Sequence, residues 1–321
     1  MVHQYAVGID LGGTSIKAGL VDDEGTIVHQ ARVETQALRG PEHVLTRIVT
    51  AVREALAYLP DGQSVLGVGI GSPGNVSLDR TTITKPPNFP GWNTVNLTAS
   101  LAGAVPGPVV VDNDANVAGL GSAFWGAGQA FDSFIMVTLG TGVGGAIIHE
   151  KRLFRGTTGG AGELGHMSID YEGPYARSGI AGAIEAYLGL NFLSHHARFR
   201  LLTRTTILRE MAGPDLVDLT PKMLYDAAEQ GDDAARDMLA WAGHKLGYSL
   251  GSAVNLLDIR KVVVGGGISA AGDYLLEPAR LALRQAVMPG MQDGLEIVRE
   301  RRGNEVGILG AARLVFGEGF S

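Results

Sequence analysis

The sequence predicts an α/β protein made of two similar halves, and three observations support this fold class. Short apolar runs end in glycine-rich turns, which is typical of strands that stop at a loop. One order of strand, glycine turn and strand occurs twice along the 321 residues. Between these strands, apolar residues recur at spacings of three and four, which indicates amphipathic helices.

The first third of the chain contains a meander, a helix and two further strands. The stretch YAVGIDLGGTSIKAGLVDDEGTIV, residues 5–28, predicts a strand, a glycine turn, a second strand, a DDEG turn and a third strand. The apolar spacing over 41–59 predicts a helix that begins at Pro41. VLGVGIGSPG and PVVVDNDANVAGLGSAFWG each place a buried strand before a polar turn, and the second continues as a helix.

The second half begins with a repeat of the first meander. The stretch IMVTLGTGVGGAIIHEKRLF, residues 135–154, aligns with the first meander, so that Leu139 matches Leu11 and Gly140 matches Gly12. The offset, 139 minus 11, is 128 residues, and both segments predict strand, glycine turn, strand, charged turn and strand. Two similar halves follow from this match.

The remaining elements complete the second half and close the chain. An irregular stretch over 162–186 precedes a helical region from about 184 to 256. KVVVGGGISAAGDYLLEPARLAL then predicts a strand, a triple glycine and a helix, and an apolar helix over 305–316 comes last. We expect a smaller N-terminal α/β lobe over 1–115, completed by a C-terminal helix within 305–321, and a larger α/β lobe over 116–304.

Composition excludes several classes of protein. The net charge of -7 would repel nucleic acid and anionic lipid, so neither is expected as a partner. Cysteine is absent, which removes disulfides, thiol nucleophiles and thiolate metal sites and favours a reducing, cytoplasmic location. The longest apolar region, 134–148, is interrupted by glycines and threonines, and Asp10 interrupts the apolar run that a signal peptide would need.

The two glycine turns suit anion binding. A turn without side chains lets backbone N–H groups approach a phosphate closely, and the hydroxyls of Thr14 and Thr141 can add donors. The alternative is a tight hairpin with a packing role only. No GK[ST] sequence is present, which excludes a Walker loop, and AIIH continues as a strand where a Rossmann fold needs a helix.

Acidic residues follow two of the predicted strands. Asp10 ends the first strand, where its carboxylate could hold Mg²⁺ against bound phosphates or could bond to its own turn. DNDAN, residues 112–116, follows the buried run PVVV at a strand end, where α/β sheets carry their sites. Asp112 could cap the following helix, and Asp114 is the better candidate for a general base.

Seven motifs together resemble the ROK family, named for repressors, open reading frames and kinases. They follow one another along nearly the whole chain: GIDLGGTSIKAGLVDDEG, GSPG, PNFPGW, DNDANVAGLGSAFWGAG, VTLGTGVGGAII, GTTGGAGELGH and VVVGGGIS. The resemblance implies a sugar kinase of the actin-like ATPase (ribonuclease H-like) fold, with two similar lobes and a cleft between them that holds ATP and a hexose. The repressors of the family carry a DNA-reading module ahead of this core. Because Asp10 and the first motif lie so near the start of the sequence, no such module is expected here.

The resemblance also implies a role for individual residues. Asp114 matches the catalytic base, and Asp10 is expected to hold Mg²⁺ through the phosphates or water. The residues expected to bind ATP are Asp10, Gly12, Gly13, Thr14, Lys17, Gly140, Thr141, Gly142, Gly265, Gly266 and Gly267. The residues expected to bind the hexose are Gly74, Asn88, Asn113, Asp114, Glu163, His166 and Glu185.

The stretch GELGHMSIDYEGPYARSGIAGAIEA departs from the family pattern. In most ROK kinases three cysteines join the histidine of GELGH to hold zinc, and here those places are Ala176, Ser178 and Ala183. None of these residues can supply a thiolate, so no zinc site is expected. We expect packing and backbone hydrogen bonds at glycines to hold the loop instead, with Tyr171, Tyr175, Ile180 and Ile184 as the packing residues.

These features predict ATP-dependent phosphorylation of a hexose, with glucose as the first choice of substrate. N-acetylmannosamine, mannose and fructose are the alternatives, because no motif resolves tolerance at carbon 2 of the sugar. A catalytically silent sugar sensor is the alternative outside the enzymes. A homodimer or homotetramer is expected from the resemblance.

Overall fold

Two five-stranded sheets and one three-stranded sheet organise residues 3–317, which are the residues that the computed structural model describes. The strands are β1 (Tyr5–Leu11), β2 (Ser15–Asp22), β3 (Ile27–Glu34), β4 (Val65–Ser72), β5 (Asn75–Val76), β6 (Thr82–Thr84), β7 (Thr94–Asn96), β8 (Val109–Asn113), β9 (Phe134–Leu139), β10 (Val143–His149), β11 (Arg152–Phe154), β12 (Lys261–Gly265) and β13 (Glu296–Arg299).

The α-helices fall between and after these strands, as the α/β class requires. They are α1 (Pro41–Leu56), α2 (Leu97–Leu101), α3 (Asp114–Trp125), α4 (Glu185–Leu188), α5 (Leu190–Leu201), α6 (Leu208–Ala212), α7 (Pro221–Glu229), α8 (Asp233–Leu257), α9 (Asp273–Ala286) and α10 (Glu305–Arg313). Helix α1 ends three residues before the predicted end at 59, and α10 ends before 316. Residues 318–321 of the predicted C-terminal segment lie outside the described residues.

The described chain divides into two compact units. The first contains residues 3–133, 146–162 and 302–317, and the second contains residues 134–145 and 163–301. The lobe boundaries expected from the sequence, after residues 115 and 304, stay a prediction.

The first sheet has the strand order β3-β2-β1-β4-β8. Strands β1, β2 and β3 form the predicted antiparallel meander, whereas β1, β4 and β8 run parallel. Helix α1 turns its apolar stripe toward the sheet because Val44, Ile48 and Val52 recur at a spacing of four and are fully buried. The parallel strands bring their carboxyl ends to one edge of the sheet.

Glycines allow α10 to lie almost on the backbone of this sheet. A methyl group added at Gly69 of β4 would lie 1.7 Å from the carbonyl oxygen of Ala311, and one at Gly8 of β1 would lie 2.0 Å from that of Ile308. A methyl group at Gly310 would lie 1.6 Å from the carbonyl oxygen of Val117 in α3. Part of the glycine richness therefore serves close helix packing and not ligand binding.

The second five-stranded sheet has the order β11-β10-β9-β12-β13, with β9, β12 and β13 parallel. The helical region predicted from about 184 is divided into α4 to α8. The 25-residue α8 places Gly243, Gly247 and Gly251 at a spacing of four, and all three face α9. No helix of residues 3–317 is both long and apolar enough to cross a bilayer.

Candidate active site

The first glycine turn joins β1 and β2 at the carboxyl edge of the first sheet. The N–H of Gly12 donates to the carbonyl oxygen of Ser15 at 3.2 Å. Thr35, which is fully buried, braces the turn by donating its N–H to Thr14 and its hydroxyl to Gly12. Thr14 itself is exposed, so its hydroxyl is open to a ligand. The sequence analysis missed Thr35, because it lies outside every motif.

Asp10 and Lys17 form an ion pair beside this turn. They are partners in the β1–β2 register, and the Asp10 carboxylate lies 2.8 Å from the Lys17 Nζ. Each side chain is about one quarter exposed. A partly exposed carboxylate next to a glycine turn could hold a Mg²⁺ ion through water or phosphate, and a lysine there could bind phosphate groups directly.

Two loops of the first unit bring predicted hexose residues to the same edge. A methyl group added at Gly13 would lie 3.0 Å from the Cβ of Asn88, so the glycine permits this close approach. Gly74 has a φ of 89°, and its carbonyl oxygen accepts the side-chain N–H of Asn113 at 3.2 Å. Asn88 is exposed, with a φ of 67°. Gly13 therefore lies against Asn88, and Gly74 is bonded to Asn113.

Asn113, and not Asp112, caps helix α3. The Asn113 side chain accepts the N–H groups of Ala115 at 2.9 Å and Asn116 at 3.3 Å. Asp114 is the first residue of the helix and accepts the N–H of Ala115 at 2.8 Å. The Asp114 carboxylate lies in the first turn of the helix, where the positive end of the helix dipole favours a negative charge.

Asp112 lies in a buried charge cluster that the sequence analysis missed. Its Oδ2 is 3.0 Å from the Nε of Arg80 and 3.1 Å from the Nε of Arg155, and the carboxylate is fully buried. Its Oδ1 accepts the side-chain N–H of Asn116 at 2.9 Å. Burial lowers the pKa of Arg80, and the Asp112 carboxylate acts in the opposite direction. The three charges fix the strand end that precedes Asn113 and Asp114.

Arg155 ties the segment after β11 to the small sheet. Its guanidinium donates to the carbonyl oxygens of Leu78 at 2.7 Å and Ser77 at 3.0 Å. A methyl group at Gly159, whose φ is 97°, would lie 2.4 Å from the carbonyl oxygen of Val76. Arg155 and Asp112 are 43 residues apart in the sequence (155 minus 112), and no short sequence pattern predicts such a distant partner.

The second glycine turn joins β9 and β10 and has contacts of its own within the second unit. The N–H of Gly140 donates to the carbonyl oxygen of Gly142 at 3.0 Å, and the carbonyl oxygen of Gly140 accepts the N–H of Leu190 at 2.9 Å. Among the described residues, apart from Gly140 and the residues on either side of it, no atom would lie within 4 Å of a methyl group at Gly140. The outer side of the turn is therefore open, as a phosphate-binding turn requires.

The triple glycine has two packing positions and one open position. A methyl group at Gly266, where φ is 82°, would lie 2.3 Å from the carbonyl oxygen of Leu139, and one at Gly265 would lie 2.9 Å from the Met136 side chain. In the described part of the chain, nothing crowds a methyl group at Gly267 within 4 Å. Packing accounts for the first two glycines, while the expected adenosine contacts of all three stay a prediction.

Glu163, His166 and Glu185 lie near the second turn. The 3-10 helix Leu164–His166 packs there so closely that a methyl group at Gly165 would lie 1.9 Å from the carbonyl oxygen of Val143. The Nε2 of His166 is 3.7 Å from a carboxylate oxygen of Glu163. Both side chains are more than one third exposed and so are open to a polar ligand.

The loop between His166 and Glu185 is held by backbone hydrogen bonds, in part as predicted. Gly182 donates its N–H to Pro174 at 2.8 Å and accepts that of Ile169 at 2.9 Å. The hydroxyl of Tyr187 donates to Asp170 at 3.3 Å, and burial together with that carboxylate raises the pKa of Tyr187.

The expected packing residues of the loop are largely wrong. Tyr171 and Tyr175 are 84% and 71% exposed, and Ile180 is also exposed, so only Ile184 is buried. Two of the former zinc places, Ala176 and Ala183, instead form a small apolar cluster with Ala186. Large apolar side chains are the usual packing residues of a loop, but here the methyl groups of three alanines form the buried cluster.

The strand–turn–strand hairpins and the carboxylate that opens α3 define a sugar kinase of the actin-like ATPase fold. A solved structure confirms this class: a ROK family glucokinase from Streptomyces griseus, in complex with glucose and AMPPNP, is 34% identical with a TM-score of 0.84. The alignment covers 97% of this chain and 98% of that one. The chain belongs to the ROK family, whose family model matches residues 6–318.

Curated relatives agree with this assignment. The chain is 33% identical to a glucokinase of Thermotoga maritima over 311 residues, which cover 96% of each chain. It is 34% identical to a glucokinase of Streptomyces coelicolor over 316 residues, again with 96% of each chain covered. The similarity therefore extends over nearly the whole length of this chain and of both relatives.

Proposed function

We propose that the chain transfers the γ-phosphoryl group of ATP to glucose and forms glucose 6-phosphate. The observation that carries the proposal is the identity of about one third to glucokinases over nearly the full length of both chains. The site supports it, because the residues that match the family's phosphate and sugar motifs lie at strand ends and on adjacent loops within their own units.

The chemistry needs alignment and charge stabilisation more than covalent help. The N–H groups and threonine hydroxyls of the two glycine turns would bind the phosphates, with Lys17 beside the first turn. Asp10 would hold Mg²⁺, which when bound neutralises phosphate charge. Asp114 would accept the proton of the attacking hydroxyl, while amide, carboxylate and imidazole groups hold the other hydroxyls in fixed directions.

The direct test is a coupled assay of ADP release with purified protein, ATP and Mg²⁺ over a panel of hexoses. We expect glucose to give the highest kcat/KM, ahead of mannose, fructose and N-acetylmannosamine. A higher kcat/KM with another sugar would identify that sugar, and not glucose, as the preferred substrate. Sugar binding without ADP release from any member of the panel would favour the catalytically silent sensor.

Zinc does not fit the residues present. Ala176 and Ala183 pack as apolar side chains where the family has thiolates, and no three His, Asp or Glu side chains of residues 3–317 group as a metal site. We therefore expect full activity after treatment with a zinc-selective chelator in excess Mg²⁺, and less than stoichiometric zinc by elemental analysis. Activity lost to the chelator and restored by zinc would contradict this. A ROK kinase that retains the three cysteines is the positive control.

The oligomeric state stays a proposal from the family resemblance. We propose a homodimer or homotetramer, which light scattering coupled to size exclusion would distinguish from a monomer of 33.6 kDa.

A further inference from the structure

Helices α4 and α5 each contact one end of the second glycine turn. At one end, the Oε2 of Glu185 accepts the N–H of Val143, the residue directly after the turn, at 3.2 Å. At the other end, the N–H of Leu190, the first residue of α5, donates to the carbonyl oxygen of Gly140 at 2.9 Å. The conformation of this turn therefore depends on where α4 lies.

The same helix is joined to the loop that carries His166. The N–H of Ile184 donates to the carbonyl oxygen of Met167 at 3.0 Å, and Ala183 pairs with Ser168 as an isolated bridge. Loop, helix and turn thus form one hydrogen-bonded series within the second unit. Glu185 is the point in this series at which a charged side chain reaches the turn.

We propose that Glu185 is a positioning residue for the nucleotide phosphates, in addition to its expected contact with the hexose. The inference rests on the proposed function, because it takes the turn Gly140–Gly142 as a phosphate site. The carboxylate fixes the N–H of Val143 and so sets the direction of the N–H groups before it. A carboxylate has two oxygens and about four acceptor sites, so one oxygen can hold the turn while the other meets a sugar hydroxyl.

The side chain also fills the space beside Gly142. A methyl group at Gly142 would lie 2.4 Å from the Oε2 of Glu185 and 3.3 Å from its Cδ, and nothing else in the described chain would lie within 4 Å. Gly142 has a φ outside the left-handed range, so an alanine there is not strained by its backbone. An alanine at this position would therefore force the end of the Glu185 side chain to move away from the turn.

The first test measures binding of a non-hydrolysable ATP analogue with Mg²⁺ by calorimetry, without hexose. A hydrogen bond to a charged group corresponds to roughly a tenfold change in an equilibrium constant. We expect Glu185→Ala to weaken nucleotide binding about tenfold. Glu185→Gln should stay within about twofold of the parent, because its amide oxygen can still accept the N–H of Val143.

Glu163→Ala is the matched control. This variant removes a second carboxylate that is expected to contact the hexose. The Glu163 carboxylate pairs with His166 and not with the turn. We expect the variant to raise the KM for hexose while nucleotide affinity without hexose stays near that of the parent. A simple loss of stability would weaken all the variants together, and thermal unfolding of each variant would show it.

A double-mutant cycle supplies an independent measurement. Gly142→Ala should weaken nucleotide binding strongly in the parent and much less when combined with Glu185→Ala, because the clash is then removed. Equal nucleotide affinity in the parent and Glu185→Ala, or additive effects in the cycle, would overturn the inference while leaving the proposed function intact. A parent chain that binds no nucleotide would overturn both.

Discussion

Asp114→Asn is expected to abolish nearly all turnover while the fold and the binding of hexose persist. A neutral amide cannot accept the proton of the attacking hydroxyl, and loss of a general base costs on the order of a hundredfold or more in rate. The substitution is otherwise conservative, since the amide oxygen of asparagine can still accept the N–H of Ala115 that Asp114 accepts at 2.8 Å. The measurement is kcat in the coupled assay, with hexose affinity from calorimetry.

The control for this variant is Asp61→Asn, which makes the same change at an exposed turn after α1. We expect its kcat to match that of the parent. An Asp114→Asn enzyme within a few fold of the parent would show that another group takes the proton. Loss of hexose binding together with turnover would assign Asp114 to substrate binding instead.

Asp112→Asn is expected to lower the stability of the fold far more than Asp114→Asn or Asp61→Asn. The substitution leaves the guanidinium groups of Arg80 and Arg155 beside a neutral amide at a fully buried position. Breaking a buried ion pair by removing one partner costs about 3–5 kcal/mol, which is a large share of the roughly 5–15 kcal/mol that stabilises a typical protein. Urea unfolding followed by circular dichroism gives the difference.

Two comparisons sharpen this stability measurement. Asp61→Asn again serves as the exposed control and should change the free energy of unfolding by less than about 0.5 kcal/mol. Asp114→Asn, two residues along the same segment, should also remain close to the parent in stability. An Asp112→Asn protein as stable as these two would show that the buried charges are compensated by groups other than the carboxylate.

The fold was predictable because its signals are local. A strand followed by a glycine turn and a second strand can be read from about twenty consecutive residues, and the repeat at an offset of 128 residues shows it twice. The ends of the helices were less predictable. Helix α1 stops at Leu56 although YL continues the apolar pattern to 59, because hydrophobic spacing does not determine where backbone hydrogen bonding ends.

The residues of the candidate site were predictable only where a motif carries them. Asp112 directly precedes a helix, and from the sequence this position is typical of a helix cap. In the structure its partners are Arg80 and Arg155, which come from distant segments that no short pattern connects. The bond from Glu185 to Val143 spans a similar gap in the sequence. Such contacts depend on tertiary packing, which the order of residues along the chain does not display.

The late position of helix α10 in the sequence affects the order in which the two units can fold during synthesis. Residues 302–317 belong to the first unit, where α10 packs against β1 and α3, whereas every residue of the second unit precedes position 302. A ribosome therefore releases the complete second unit before it has made the last part of the first. Until α10 emerges, Gly8 of β1 and Gly69 of β4 lack the helix that packs against them, so the first unit cannot be completed before the second.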